Sequence, residues 1–276
     1  MPERAEIQHE WTKIAPEYDE YVTPSNVAIA EQALERAGLQ PGMRMLDVAA
    51  GSGALSIPAA RAGAQVLATD ISPAMVEHLE ARARGEGLTS LEVRVMDGHA
   101  LELEDDTFDV AGSQFGVMLF PDLPRGLDEL TRVTKPGGRV LLVTMGPPAE
   151  IEFLGFFLGA VKAAVPGFTG LPSDPPPLPF QVADPETLHE KLAEAGLTEI
   201  RVETTNHRLA FHSGAQLWDW VTASNPIGAG LVADLTAEQR DVVQTMLDDK
   251  LSERSDGSGP AVLNNTVNVG IGTKSR

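Results

Sequence analysis

The apolar run Met43–Val48 breaks into Ala49-Ala50-Gly51-Ser52-Gly53 and passes straight into a helical pattern, and no other segment constrains the fold as strongly. Glycines at such a turn permit positive φ and let a ligand approach the backbone closely. A buried strand that runs out through small residues into a helix opens a crossover unit. Four further apolar runs repeat the theme: Gln65–Thr69, Leu91–Val95, Phe108–Ser113 and Gly138–Met145, with helical patterns near 54–63, 73–85 and 123–134. This alternation predicts an α/β fold, a parallel sheet with right-handed crossovers and helices on both faces. Ser72-Pro73 marks a helix start, since Ser caps and Pro at the first helical position lacks an N–H that would be unpaired anyway. Pro136-Gly137-Gly138 is expected to end a helix and turn into the fifth strand. At 276 residues the chain suits one large α/β domain or a core with a modest insertion.

The second half reads differently. An apolar segment, Ile151–Val165, leads into a Pro-rich stretch centred on Pro175-Pro176-Pro177, so residues 147–183 are expected to form a lid or insertion. Asp184-Pro185-Glu186 starts a helix that Gly196 ends, and Thr198–Phe211 reads as a long strand. Ser213 with Gln216, and Thr236 with Gln239, fit the capping-box spacing and predict two helices. The second carries Val242, Val243, Met246, Leu247 and Leu251 at helical spacing. After the loop Ser255-Asp256-Gly257-Ser258-Gly259-Pro260, Leu263, Val267, Val269 and Ile271 alternate with polar residues, which predicts a strand over Ala261–Gly272 with one wetter face.

Composition narrows the function. With 21 Lys+Arg against 40 Asp+Glu the formal net charge is −19, which argues against nucleic acid or an anionic membrane as the main partner. The absence of Cys excludes thiolate metal sites, disulfides and cysteine nucleophiles. The start Met1-Pro2-Glu3-Arg4 runs into polar sequence, so no signal peptide and a cytoplasmic location are expected. The glycine loop lacks the third glycine of a dinucleotide fingerprint, because Ser56 stands there, and its helix start has no Lys to grip phosphate. The second strand ends in Asp70, 17 residues past Gly53, where a carboxylate can accept both hydrogen bonds of a ribose diol. The third ends in Asp97-Gly98-His99, an acceptor for an exocyclic adenine amine, and the fourth in Ser113-Gln114-Phe115-Gly116. Polar or glycine residues therefore mark four strand ends on the carboxyl edge, where open α/β sheets bind ligands.

These segments resemble the class I S-adenosylmethionine-dependent methyltransferases, in their ubiquinone/menaquinone C-methyltransferase-like branch. Leu46–Gly53 is similar to the family's first motif, Thr69-Asp70-Ile71-Ser72 to its ribose-binding acid and Met96-Asp97-Gly98-His99 to its adenine segment. Phe108-Asp109-Val110 with Phe115, and Leu130–Gly138, resemble its fourth strand and its run into the fifth. Trp11–Tyr21 looks like that branch's N-terminal helix. Ala49 departs from the glycine usual there, with only a slight adjustment of backbone approach expected. The resemblance implies a Rossmann-like seven-stranded, mostly parallel sheet with an antiparallel last strand, helices on both faces and a helical lid. Residues 1–40 would form an N-terminal helical cover and 41–146 the cofactor-binding core. The 147–183 lid would follow, then 184–276 as the rest of the sheet with a helical insertion at 212–258. S-adenosylmethionine is the implied cofactor. Its contacts would come from Tyr18; from Asp47, Ala49, Gly51 and Gly53; from Asp70, Ile71 and Met75; from Asp97, Gly98 and His99; and from Ser113 and Phe115.

The implied activity is methyl transfer by in-line displacement to O, N or C of a small acceptor. The cofactor supplies the reactivity, so the protein has to bind, orient and exclude water. His207 and His212, five apart in a strand, face opposite sides, and no carboxylate–His spacing suggests a metal, so no metal and no general base are assigned. Tyr21, Phe115, Met118 and Trp218, with Tyr18, Phe120 and Trp220, are candidates to line an apolar acceptor space between the N-terminal helix and the two insertions, which favours a hydrophobic or aromatic acceptor. Two other readings stay open: a nicotinamide-dependent Rossmann oxidoreductase and a non-catalytic nucleoside-binding module.

Overall fold

The computed structural model describes residues 4–172, 175–224, 226–256 and 259–276. Met1-Pro2-Glu3 of the start and Gly257-Ser258 of the late loop lie outside the described residues. In chain order the elements are α1 (Arg4–Glu17), α2 (Thr23–Arg36), β1 (Arg44–Val48), α3 (Ser56–Arg61), β2 (Gln65–Asp70), α4 (Pro73–Gly85), β3 (Leu91–Val95) and β4 (Phe108–Gln114). They continue with α5 (Leu123–Val133), β5 (Thr134–Met145), α6 (Glu152–Ala164), α7 (Pro185–Glu194), β6 (Leu197–Phe211), α8 (Gly214–Ser224), α9 (Pro226–Gly230), α10 (Ala237–Ser255) and β7 (Ala261–Lys274).

The seven strands form one sheet in the order β3-β2-β1-β4-β5-β7-β6, parallel from β3 to β5, with β7 antiparallel to both of its neighbours. Strand order reverses between β1 and β4, which puts the glycine turn after β1 at the topological switch point. Met45, Leu46 and Val48 of β1 are buried on both faces, as a central parallel strand requires. Helix α5 turns Leu123, Leu127 and Leu130 inward at helical spacing, and α4 does the same with Met75, Val76, Leu79 and Ala83. Ser72 caps α4 by accepting from Met75 N at 3.3 Å.

Three differences from the sequence expectations have physical causes. The polar face of β7 is not wetted: the strand lies between β5 and β6, and Asn265 and Asn268 are fully buried. Their amides are satisfied, because Asn265 Oδ1 accepts from Phe153 N and its Nδ2 donates to His207 O and Leu263 O, while Asn268 joins Thr204 and Ala183 O. The alternation marked a buried polar ladder, not a solvent face. The run Lys135–Gly138 is not the start of β5: Thr134 already pairs with Phe108, and the register jumps to Val110–Arg139 as the Pro-Gly-Gly segment bulges out with Gly137 at φ +79°. The N-terminal helix is longer than Trp11–Tyr21, running to Arg36 with one widened π turn, Tyr18–Val22, where Thr23 N reaches Tyr18 O. Pro16 and Pro24 bracket that turn, and each removes a helical donor.

A second core assembles α6, α8 and α10 on the far half of β6 and β7, around Phe153, Phe157, Phe211, Trp218, Trp220, Val243 and Leu247. The Thr236–Gln239 capping box starts α10, and Val242 of the same helix faces outward. Among the described residues, no helix is long and apolar enough to cross a membrane.

Asn265→Ala would strand the Phe153 N–H and the carbonyls of His207 and Leu263 between two core strands. A loss of roughly 2–3 kcal/mol is expected in urea unfolding, and a change under 0.5 kcal/mol would contradict the buried-ladder account.

Candidate functional site

The carboxyl edge of β1 to β4 opens into one cavity of about 290 Å³. The first wall is the glycine turn. Ala49, Gly51 and Gly53 all have positive φ, at 55°, 54° and 104°. Gly51 is held by donation from its N–H to Asp70 Oδ2 at 2.8 Å, and a Cβ on it would lie 3.1 Å from the Tyr18 ring. The turn is thus a backbone cradle with Tyr18 packed across it. Ala49 carries a side chain in the left-handed region, and its Cβ occupies the space that Gly116 leaves open.

The second wall is Asp70, at the tip of β2. Its Oδ1 accepts from Ser72 N at 2.9 Å and its Oδ2 from Gly51 N. Each oxygen keeps a further lone pair, so the carboxylate can still receive two donors. Burial lifts its pKa to about 6, against the pull of the Ser72, Gly51 and Ile71 N–H groups. Ile71 and Met75 complete this side. The third wall stands on β3: Asp97 Oδ1 accepts from His99 N at 2.9 Å and faces His99 Nδ1 at 3.1 Å, while Arg4 lies 3.6 Å from Oδ2. Burial pushes the Asp97 carboxyl up, but the His99 N–H and ring, with Arg4, hold it below its ordinary value. Because a carboxylate only accepts, His99 Nδ1 carries hydrogen; Nε2 is buried without a partner, and the ring stacks on Phe120 with centroids 4.3 Å apart.

The fourth wall is the end of β4. Gln114, Phe115 and Gly116 line the cavity, Phe115 in the left-handed region at φ 56°. Helix α1 roofs the space with Arg4, Ile7 and Trp11, and Tyr18 follows at the same helical spacing. The roof is bolted down: Gln8 Nε2 donates to Ile71 O at 2.9 Å, Thr12 Oγ1 meets Ser72 Oγ at 3.0 Å, and Asp19 binds Arg82 at 2.6 Å and His78 at 3.2 Å.

Of the residues singled out by sequence, Tyr18, Ala49, Gly51, Asp70, Ile71, Met75, Asp97, Gly98, His99, Phe115 and Phe120 come together around this cavity. Others lie behind it. Asp47 is buried beneath the turn, where Ser56 Oγ donates to its Oδ2 at 2.5 Å and burial lifts its pKa to about 7. Gly53 is glycine because Leu79 and Ile57 fill the place of a Cβ, and the Ser113 hydroxyl accepts from Val117 N. Met118 receives the Met145 N–H on its sulfur, and Tyr21, Trp218 and Trp220 pack in the second core, where Trp220 Nε1 donates to Ser25 Oγ. Among the described residues, none beyond Arg125 lines the cavity. Sequence reading missed Arg4, Ile7 and Trp11, whose i, i+3, i+7 spacing was the available signal, and also Arg125, which donates to His99 O at 2.7 Å. Among the described residues no cluster of three or more His, Cys, Asp or Glu could hold a metal.

Residues 46–142 match a family model described as a methyltransferase domain. The chain is 46% identical over 108 residues to an uncharacterized protein of Mycobacterium tuberculosis, a match covering 39% of each, well under two thirds of that relative's length. It is 32% identical over 184 residues to a demethylmenaquinone methyltransferase of Streptomyces avermitilis, covering 63% of this chain and 77% of that one. In fold it is similar to a Haemonchus contortus phosphoethanolamine N-methyltransferase solved in complex with S-adenosyl-L-methionine. That likeness has a TM-score of 0.55 and 20% identity, covering 90% of this chain and 53% of the other.

Two stability tests follow from this geometry. A left-handed alanine is strained by roughly 1–2 kcal/mol, partly offset by the greater freedom of an unfolded glycine, so Ala49→Gly is expected to raise stability by about 0.5–1 kcal/mol in thermal unfolding. Asp47 and Asp70 bind protons more tightly folded than unfolded, where an aspartate titrates near 3.8. The folded state therefore holds the extra protons, and stability falls as pH rises from about 4 towards 7. Asp47→Asn should flatten the upper part of that slope in denaturation curves taken across this range.

Proposed function

Because the chain belongs to the class I S-adenosylmethionine-dependent methyltransferases, we propose that it transfers the methyl group of that cofactor to a small, hydrophobic or aromatic acceptor. The observation that carries the reading is the convergence of four strand tips on one enclosed cavity, with Asp70 suspended between two backbone N–H groups and open to two more donors. The residues present fit the cofactor: a cradle in which a Cβ at Gly51 would be strained and crowd Tyr18, a diol-competent carboxylate, and a buried acceptor without a partner on His99 among the described residues.

When bound, S-adenosylmethionine supplies a methyl group on a positively charged sulfur, which an attacking lone pair can take while a neutral thioether leaves. The protein's own part is to hold and to enclose. Asp70 would hold the ribose diol, Ile71, Met75 and Met96 would flank the adenine, and Asp97 and His99 Nε2 would accept from its amine. The Gly51 turn and Tyr18 would enclose the methionine portion. Burial, with Asp70 and Asp47 nearby, raises the Tyr18 hydroxyl far above its ordinary pKa, so it stays a neutral wall near neutral pH. Alignment alone is worth an effective concentration on the order of 10⁵–10⁸ M, so the absence of an assigned base is no obstacle to turnover. The bolted α1 roof excludes water and has to release for exchange. A −19 chain disfavours strongly anionic acceptors, so the partner is a neutral or cationic small molecule rather than nucleic acid or a membrane.

Calorimetry with S-adenosylhomocysteine beside NAD separates this reading from a dehydrogenase: binding of NAD alone would overturn it. Uptake of labelled methyl into a metabolite extract separates it from a non-catalytic module. Asp70→Ala should weaken S-adenosylhomocysteine by roughly 2–3 kcal/mol through lost charge-assisted hydrogen bonds. Because the diol needs the ionised carboxylate, wild-type affinity should also fall as pH drops through about 6, a dependence that Asp70→Ala abolishes.

A further inference from the structure

We propose that the side-chain oxygen of Gln114 accepts a hydrogen bond from the nucleophile of the methyl acceptor, and that this acceptor is a neutral amine bearing at least one N–H. The inference rests on the methyltransferase reading above and narrows its substrate class.

Gln114 ends β4 and lines the cavity, yet it is 92% buried, being only 8% exposed. Its Nε2 donates to Asn26 O at 2.9 Å. A carbonyl can only accept, so the amide cannot be turned over: the NH₂ must face α2 and Oε1 must face away. That oxygen is buried and has no partner among the described residues. An orphaned buried acceptor costs roughly 1–3 kcal/mol, and a bound donor removes the penalty.

Position along the sheet says which end of the ligand supplies the donor. The adenine side stands at the β3 tip, the ribose carboxylate at the β2 tip and the cradle at the β1 tip; the β4 tip lies on the other side of the cradle. Gln114 is therefore at the end where the methyl group leaves. The titratable side chains of the cavity supply no base at this end: Asp122 accepts from Arg125 N, and the Tyr18 hydroxyl, raised far above its ordinary pKa by burial, keeps its proton. Arg4, Asp97, His99 and Arg125 are bound to one another at the β3 end, and Asp70 holds the cradle. His207 touches the Phe115 ring with centroids 6.0 Å apart, but its Nε2 is occupied by Ser25 O and it does not line the cavity.

A wall without a base suits an amine. A neutral amine nitrogen gives its lone pair to the new N–C bond while the S–C pair returns to sulfur. The positive charge passes from sulfur to nitrogen, no proton has to leave beforehand, and one can be lost to water afterwards. As that charge develops, the N–H becomes a stronger donor, so a fixed amide oxygen holds the transition state more tightly than the ground state. A hydroxyl acceptor would need its proton removed during attack, and Gln114 cannot take one.

The test uses sinefungin, in which an amine-bearing carbon replaces the sulfonium and its methyl, so that an N–H donor sits where the methyl group would be. Titration calorimetry of the full chain compares it with S-adenosylhomocysteine. Wild-type protein should bind sinefungin at least tenfold more tightly. In Gln114→Met, and in Gln114→Asn as a second variant that keeps an amide but withdraws it, that preference should shrink about tenfold while S-adenosylhomocysteine affinity stays within twofold. The unchanged S-adenosylhomocysteine affinity also verifies that each variant is folded. Parallel weakening of both ligands would assign the oxygen to the methionine ammonium that they share, and would overturn the proposal; so would an unchanged preference. Failure of wild-type protein to bind either ligand overturns the methyltransferase reading itself, a distinct result.

Discussion

The Asp70 carboxylate, caught between the N–H groups of Gly51 and Ser72, is the interaction on which the site depends. Through it the tip of β2 fixes both the glycine turn after β1 and the first turn of α4, whose cap is the same Ser72. Without a buried anion the Gly51 turn would have no partner for its N–H, and the cradle would be one loop conformation among many. The interaction is made against a desolvation penalty: burial raises Asp70 to about 6 and Asp47, directly beneath, to about 7. Two acids stored under one turn are tolerable because each accepts hydrogen bonds from the loop or its helix. The site is thus less stable than an apolar core would be, in the way expected where binding rather than folding sets the composition.

The N-terminal helix turns that rim into an enclosure. Its polar contacts are of a kind that can open: two neutral hydrogen bonds, from Gln8 and Thr12, and two partly exposed ion pairs, Arg4 with Asp97 and Asp19 with Arg82. Burial works against the Asp19 anion, but Arg82, Ser52 and His78 hold it below its ordinary pKa. None of these contacts is a large apolar interface. The π turn falls at Tyr18–Val22, the residues that both roof the cavity and carry the ion pair. A helix that is irregular there can reposition Tyr18 without unfolding α2, which is anchored separately through Ser25 and Asn26 to Trp220 and Gln114. Cover and scaffold are joined in one helix yet held by different neighbours.

The sheet and much of the lining of the cavity were legible because both follow from local rules. Short apolar runs, small residues at strand ends and acids at fixed places are signals that a strand and the turn after it carry by themselves, which is why β3 and α4 emerged with correct boundaries. What was not legible depended on partners distant in sequence. Asn265 and Asn268 look like a solvent face until β6 and the 152–153 backbone close over them. Gly53 resembles a ligand-binding glycine, but it is dictated by Leu79, 26 positions further on. Trp218 and Trp220 are equally plausible as wall or as core, and only the packing of Phe157, Phe153 and Phe211 against them decides for core. Arg4, Ile7 and Trp11 follow a helical stripe, yet a stripe does not say what it covers.

The same distinction explains why the acceptor is harder to read than the cofactor. In the proposed reading the cofactor would be met by backbone turns and strand ends, whose positions a fold repeats. The acceptor would be met by side chains whose meaning lies in what they lack. The oxygen of Gln114 is informative only because Asn26, 88 residues earlier, has taken the other half of its amide. A strand-end glutamine has no such polarity in the sequence; it acquires one when the Asn26 carbonyl of α2 takes its NH₂ and leaves a single acceptor with nothing to accept from among the described residues. What the β4 tip can offer a ligand is therefore set less by its residue type than by which of its atoms the rest of the fold has already used.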